Sequence, residues 1–214
     1  DILSKQLNDN STIVVDGGSI MNYVMQTFNF IKGQRMISST GVELPGFSIP
    51  AAAGCAILNS KRNIICLCED LGFQLNNQVL EIIREKDLPI KILIFNSVGY
   101  SSIRKIQREY FGGRYIGTIN KLMKAPDLLK IGEIYGFETC EISSANNLEK
   151  QIKNVINSKN SIICVIKLDR NVDLVPRIVM NVNSKGEWEA KPLEDMYPFL
   201  DEDLLNNNML VDRV

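Results

Sequence analysis

The sequence predicts a doubly wound α/β domain: a mainly parallel six-stranded sheet with helices on both faces and an irregular C-terminal tail. Three observations carry this. β-Branched apolar runs recur through the first 169 residues, several are continuous rather than alternating, and stretches of helical periodicity separate them. A continuous run suits a strand whose sheet is covered on both faces. Strand–helix alternation builds such a sheet through right-handed crossovers.

The first run, STIVVD (11–16), ends in an acid before Gly17 and Gly18, and residues 19–30 read as a helix. QRMISS (34–39) is the second strand. A glycine-containing loop then leads to a helix over 48–58, whose Pro50 sits where a missing N–H is tolerated. NIICLCED (63–70) and IKILIFN (90–96) are the next two strands, followed by helices over 73–86 and 101–110. Pro126-Asp127 opens a helix over 126–135 and Gly136 stops it. ETCEIS (138–143) and SIICVIKLD (161–169) complete the sheet. Between them, a helix over 145–158 gathers Leu148, Ile152, Val155 and Ile156 on one face. Beyond Asp169 the periodicity fades. The expected division is a domain over 1–169 and a tail over 170–214 that packs on the same or a neighbouring domain. Trp188 and Tyr197–Leu200 are its candidate anchors, and a short capped helix starts at Asp201.

Composition narrows the function. Apolar residues make up 45% and charged residues 23% of 214, ordinary for a soluble globular chain. Lys plus Arg number 24 against 25 Asp plus Glu, so no net field favours nucleic acid or an anionic membrane. No apolar run reaches the roughly 20 residues of a membrane-spanning helix. Arg104, Lys105, Arg108 and Arg114, with Tyr110, Phe111 and Tyr115, read as a solvated basic face. With no histidine, a serine–histidine triad is excluded. Cys55, Cys66, Cys68, Cys140 and Cys164 all lie in apolar segments without zinc-knuckle spacing, and read as buried, reduced thiols of a cytoplasmic protein. The opening, DILSKQLNDN, lacks Met and suggests the C-terminal part of a longer protein.

In such a sheet, ligands gather beyond the carboxyl ends of the strands where the strand order reverses. The segments to inspect are Asp16–Ser19, Thr40–Phe47, Glu69–Phe73 and Asn96–Tyr100. DGGS is too short for the Gly-x-Gly-x-x-Gly fingerprint and no Gly-Lys-Ser/Thr loop exists, which argues against a nicotinamide cofactor and a nucleotide-binding regulator. Asp70 reads either as a strand-end capping acid or as a metal ligand. Asn96-Ser97 reads equally as an ordinary turn or as part of the same metal site.

ISSTGVELPGFSIPAAAGCAI, CEDLGFQLNNQVLEII, LPIKILIFNSVGYSSIRKIQREYFGGR and PDLLKIGEIYGF, in that order, resemble the C-terminal domain of thiamine-diphosphate enzymes. The nearest likeness is to the acetolactate synthase group. KPLEDMYPFLDEDLL resembles acetolactate-synthase-like proteins of surface-polysaccharide pathways. That resemblance implies Gly-Asp-Gly followed further along by Asn-Asn, with the Asp, the second Asn and a later backbone carbonyl holding Mg²⁺ against the cofactor's diphosphate. Carried over, Asp70 is the metal-binding Asp, Ser97 stands at the ligand Asn, and Gly99 supplies the carbonyl. Leu71 and Gly72 form the turn, Tyr100 and Ser101 lie beside the diphosphate, and Gly18, Ser19 and Ile20 approach it from the first strand. Glu43, Leu44 and Pro45 form the loop that shapes the cofactor.

The departures cluster at this site. Glu69 and Leu71 replace the two glycines around the Asp, Ser97 an Asn, Glu43 a glycine, Pro45 a large apolar residue, and Ile20 a His or polar group. Glu69 is expected to repel a diphosphate, and Leu71 to be strained if its position needs positive φ. The resemblance further implies decarboxylation and carboligation of 2-oxo acids in a homodimer or tetramer. The glutamate that activates the cofactor would come from another domain of a partner subunit, so this chain alone would be inactive. The alternative is a degenerate domain kept for assembly or regulation.

Overall fold

The computed structural model describes residues 1–118, 126–182 and 185–211, and divides them into two compact units, Asp1–Val172 and Asp173–Val214. The first holds six parallel strands: β1 (Ser11–Val15), β2 (Arg35–Ser38), β3 (Asn63–Glu69), β4 (Ile90–Asn96), β5 (Glu138–Ile142) and β6 (Ile162–Lys167). Their order is β2-β1-β3-β4-β6-β5. The chain leaves β1 toward β2 on one side and returns to place β3 on the other, so a crevice opens beyond the carboxyl ends of β1 and β3.

Side chains of the central strands divide evenly between two cores, because successive residues point to opposite faces. Ile64, Cys66 and Cys68 of β3 join Val14, Ile92 and Ile94 under helices α2 (Ser48–Leu58), α3 (Asp70–Leu75), α4 (Leu80–Glu85) and α6 (Leu128–Ile134). Ile65 and Leu67 join Ile13, Val15 and Leu93 under α1 (Ser19–Thr27) and α7 (Leu148–Ile156). Burial on both faces is why these strands read as continuous apolar runs. Ala52, Ala53 and Ala56 give α2 a small-residue face against the sheet. Between β4 and β5, α5 (Ser101–Tyr110) follows the end of β4. Asp127 caps α6 by accepting from Leu129 N (3.1 Å) and Lys130 N (3.3 Å), and Gly136 follows that helix at φ +80°.

One expected helix differs. Residues 73–86 form no single helix: α3 begins at Asp70, a 3₁₀ turn covers Asn77–Val79, and α4 follows. Asn76, at φ −136°, turns its amide to Gly46 O (2.8 Å) and breaks the helical ladder there. The earlier start matters, because it puts Asp70 in the first turn of α3.

The second unit is not wholly irregular. It contains an antiparallel hairpin, β7 (Met180–Val182) with β8 (Trp188–Ala190), and α8 (Glu202–Asn208), capped by Asp201 accepting from Asp203 N (3.0 Å). Three-residue strands are too short for periodicity to reveal them. Among the described residues no helix is long and apolar enough to cross a membrane.

Candidate functional site

Three acids converge at the switch point, each at or just after a strand's end. Asp16, following β1, is buried; its Oδ2 accepts from Gly46 N (2.9 Å) and its Oδ1 from Ser48 N (3.3 Å). Asp16 therefore anchors the loop before α2. The fit is close, since a Cβ on Gly72 would lie 1.9 Å from Asp16 Oδ2.

Asp70 is 1% exposed. Its Oδ2 accepts from Gly99 N (2.8 Å), while its Oδ1 is buried with no hydrogen-bond partner among the described residues. Beside it, Ser97 is buried and its hydroxyl donates to Gly99 O (3.3 Å). The turn they share is strained: Val98 sits at φ +59° and Gly99 at φ +107°. A β-branched residue avoids that region, so the surroundings must impose it. Asn96 Oδ1 accepts from Val98 N (3.0 Å), and the guanidinium of Arg104 donates to Val98 O (3.2 Å) and Ser97 O (3.0 Å), as well as to Thr118 O and Arg170 O. The Asn96 contact is the ordinary-turn reading; the orphaned Asp70 oxygen is what that reading leaves unexplained.

Glu69 ends β3, and its carboxylate reaches across to two helix starts. Oε1 accepts from Ile20 N (2.9 Å) in the first turn of α1; Oε2 accepts from the hydroxyl of Ser101 (3.2 Å), the first residue of α5. Ser101 Oγ also lies 2.9 Å from Ser19 Oγ. Gly18 holds φ +97°, a conformation that favours glycine, and a Cβ there would meet Glu69 Oε1 at an ordinary contact distance of 3.6 Å.

Burial pushes all three carboxyl groups up, Glu69 from its usual 4.5 to about 7. The Ile20 N–H and Ser101 hydroxyl hold Glu69 down in part, and the neighbouring acids raise it further. A carboxyl raised in the folded state contributes stability that is complete below its unfolded pKa and is lost as pH rises through the folded one. Stability should therefore fall between pH 4.5 and about 7. Glu69→Gln is expected to flatten that decline and to add about 1–2 kcal/mol at pH 8 after allowance for screening. Urea melts across the range check this; a slope that survives the substitution refutes it.

The structure brings together Gly18, Ser19, Ile20, Ser101 and Glu69 on one side, and Asp70, Ser97 and Gly99 on the other. Tyr100, half-buried, precedes α5 and accepts from Arg104 N through its carbonyl. Glu43, Leu44 and Pro45 are exposed, and Glu43 holds φ +48°, a conformation that suits glycine better. Leu71 is half-buried inside α3 and is not at positive φ, so the anticipated strain does not arise. Arg104 is buried rather than part of a solvated face. Its role and that of Asp16 went unread: Asp16 directly follows β1, whereas Arg104 lies inside α5 among other cations and carries no local signal.

Residues 16–166 match the family model described as thiamine pyrophosphate enzyme, C-terminal TPP binding domain. The chain belongs to that family. Among curated proteins it is similar to the acetolactate synthase large subunit of Porphyra purpurea, 27% identical over 177 residues, 83% of this chain and 30% of that protein. It is 25% identical over 181 residues to acetolactate synthase isozyme 2 large subunit of Escherichia coli (strain K12), 83% of this chain and 33% of that one. It is 29% identical over 151 residues to the probable acetolactate synthase large subunit of Methanococcus aeolicus, 71% and 25%. The chain thus spans between a quarter and a third of these relatives' length.

The site tests whether the group named by the family fits. Asp70 Oδ1, Ser97 Oγ and Gly99 O are hard oxygen donors of the kind a small divalent cation takes, and a buried carboxylate oxygen without a partner is accounted for by such an ion. No cluster of three or more His, Cys, Asp or Glu side chains among the described residues could hold a metal, so a cation here would rely on the hydroxyl, the carbonyl and phosphate oxygens. Those donors are compatible with a divalent cation, and beside them stands the Glu69 carboxylate, held by Ile20 N and the Ser101 hydroxyl.

Proposed function

We propose that residues 1–169 form the part of a 2-oxo-acid decarboxylating and carboligating enzyme that grips thiamine diphosphate through Mg²⁺, with Asp70, Ser97 and the Gly99 carbonyl as the protein's ligands. The unpartnered, buried Asp70 Oδ1 is the observation that supports this above others. When bound, the cofactor supplies the electron sink for decarboxylation; this chain's residues hold and orient it. Arg104 fixes the Ser97–Val98 carbonyls, and with them the direction of the ligand turn. The hydroxyls of Ser19 and Ser101 and the N–H groups at the start of α1 offer donors to phosphate oxygens. Ser97 is shorter than an Asn, so its hydroxyl holds a cation less firmly.

The full-length protein would be a cytoplasmic homodimer or tetramer, residues 170–214 packing on the same or a neighbouring domain. Calorimetry with thiamine diphosphate checks the reading. Binding is expected with Mg²⁺ and is expected to vanish when EDTA removes the cation; binding indifferent to EDTA would remove the metal site. A second reading, a non-catalytic domain retained for assembly or regulation, is favoured by one feature, the placement of Glu69.

A further inference from the structure

Glu69 does more than crowd the site. A carboxylate is planar and negatively charged, and accepts through two oxygens, as a phosphate edge does. Here those oxygens take the N–H of Ile20, in the first turn of nine-residue α1, and the hydroxyl of Ser101, at the start of ten-residue α5. Neither helix has a side-chain cap of its own: Gly18 and Tyr100 precede them and supply none. Helix starts leave backbone N–H groups seeking an acceptor and favour negative charge. From a third element, the end of β3, Glu69 meets that demand at α1 through Ile20 N, and at α5 it takes the Ser101 hydroxyl. The Ser19–Ser101 hydroxyl pair joins the two starts behind it. Next to it, Asp70 Oδ1 is buried with no hydrogen-bond partner among the described residues. The anion side of the site is filled from within.

We propose that Glu69 is an internal occupant of the phosphate cradle: its carboxylate holds the donors at the starts of α1 and α5, and a diphosphate binds this domain only by displacing it. This rests on the diphosphate reading of the site. Glu69 lies at φ −89°, ψ 163°, ordinary extended backbone that is compatible with more than one side-chain rotamer, so displacement calls for no backbone rearrangement at this residue. The domain is therefore built to bind diphosphate weakly, with Glu69 setting the threshold.

The test titrates Mg²⁺ with inorganic pyrophosphate, then thiamine diphosphate, at pH 8 into the parent protein, Glu69→Gln and Glu69→Gly. Calorimetry gives the affinity, and amide NMR follows Ile20 and Gly99. Removing the charge while keeping the shape is expected to tighten binding about fivefold, and removing the side chain about tenfold or more. The Ile20 amide should shift in the free Gly variant, where it has lost its acceptor, and shift again on adding pyrophosphate. Melting curves confirm that both variants fold; the Gln variant keeps the packing should the Gly variant fail. Affinity within twofold of the parent in Glu69→Gln and in Glu69→Gly, with Mg²⁺ dependence and the Gly99 shift intact, overturns the occupancy and leaves the diphosphate site standing. No binding of either compound to any of the three proteins removes both.

Discussion

Gly72→Ala is expected to unfold the domain at a markedly lower temperature, although it adds a single methyl group. That methyl would stand 1.9 Å from Asp16 Oδ2, 3.1 Å from its Cγ and 3.3 Å from Gly46 N. The obstacle is not a free-swinging side-chain end. Asp16 is fully buried and each of its oxygens is tied to a backbone N–H, Gly46 and Ser48, so retreat leaves buried donors unpaired. Overpacking and a lost charge-assisted hydrogen bond together cost about 3 kcal/mol, about 6–12 °C of melting temperature at this size. Because the same carboxylate anchors the loop leading to α2, damage at 72 should spread to the β1 side of the crevice. Gly54→Ala makes the same change in α2 where a Cβ meets nothing within 4 Å. It should be neutral or raise stability by up to about 1 kcal/mol. Equal melting of Gly72→Ala and the parent would mean that α3 and Asp16 are not in the contact described.

The contrast between these two glycines shows what a sequence can and cannot reveal. Strands such as Asn63–Glu69 were legible because burial on both faces demands an unbroken apolar run, and five of the seven residues there are fully buried. The carboxyl ends of the first four strands, β1 to β4, could be singled out as the segments to inspect from the expected topology alone. Contacts across the crevice could not. Whether Glu69 repels a ligand from outside or caps α1 from inside depends on where its side chain points, which has no periodic trace. Leu71 was suspect only because a glycine is usual at its place, yet helical backbone there relieves it. Arg104 looked like one of four surface cations; four carbonyls hold it inside, those of residues 97 and 98 on the turn after β4 and those of residues 118 and 170 distant in sequence.

Asp70→Asn is expected to move binding and stability in opposite directions. In the parent, one oxygen of Asp70 accepts from Gly99 N and the other has no hydrogen-bond partner among the described residues, while burial raises its pKa against the opposing pull of the backbone N–H groups of Gly99, Asp70 and Leu71. An Asn amide oxygen can keep the Gly99 bond and removes the buried charge. The protein without cofactor should gain about 1–2 kcal/mol at pH 8. The gain should shrink as pH falls, because an Asp with a raised folded pKa recovers its stability once protonated. Mg²⁺-dependent binding of thiamine diphosphate should weaken by about a hundredfold or more, near 3 kcal/mol, since a neutral amide cannot replace a carboxylate on a divalent cation. An acid kept only to complement the start of α3 predicts the reverse: a loss of about 0.5–1 kcal/mol and no change in binding. Chemical denaturation and calorimetry on one preparation therefore separate a metal ligand from a helix-start acid by sign. A variant that is both less stable and equally able to bind would remove Asp70 from the site.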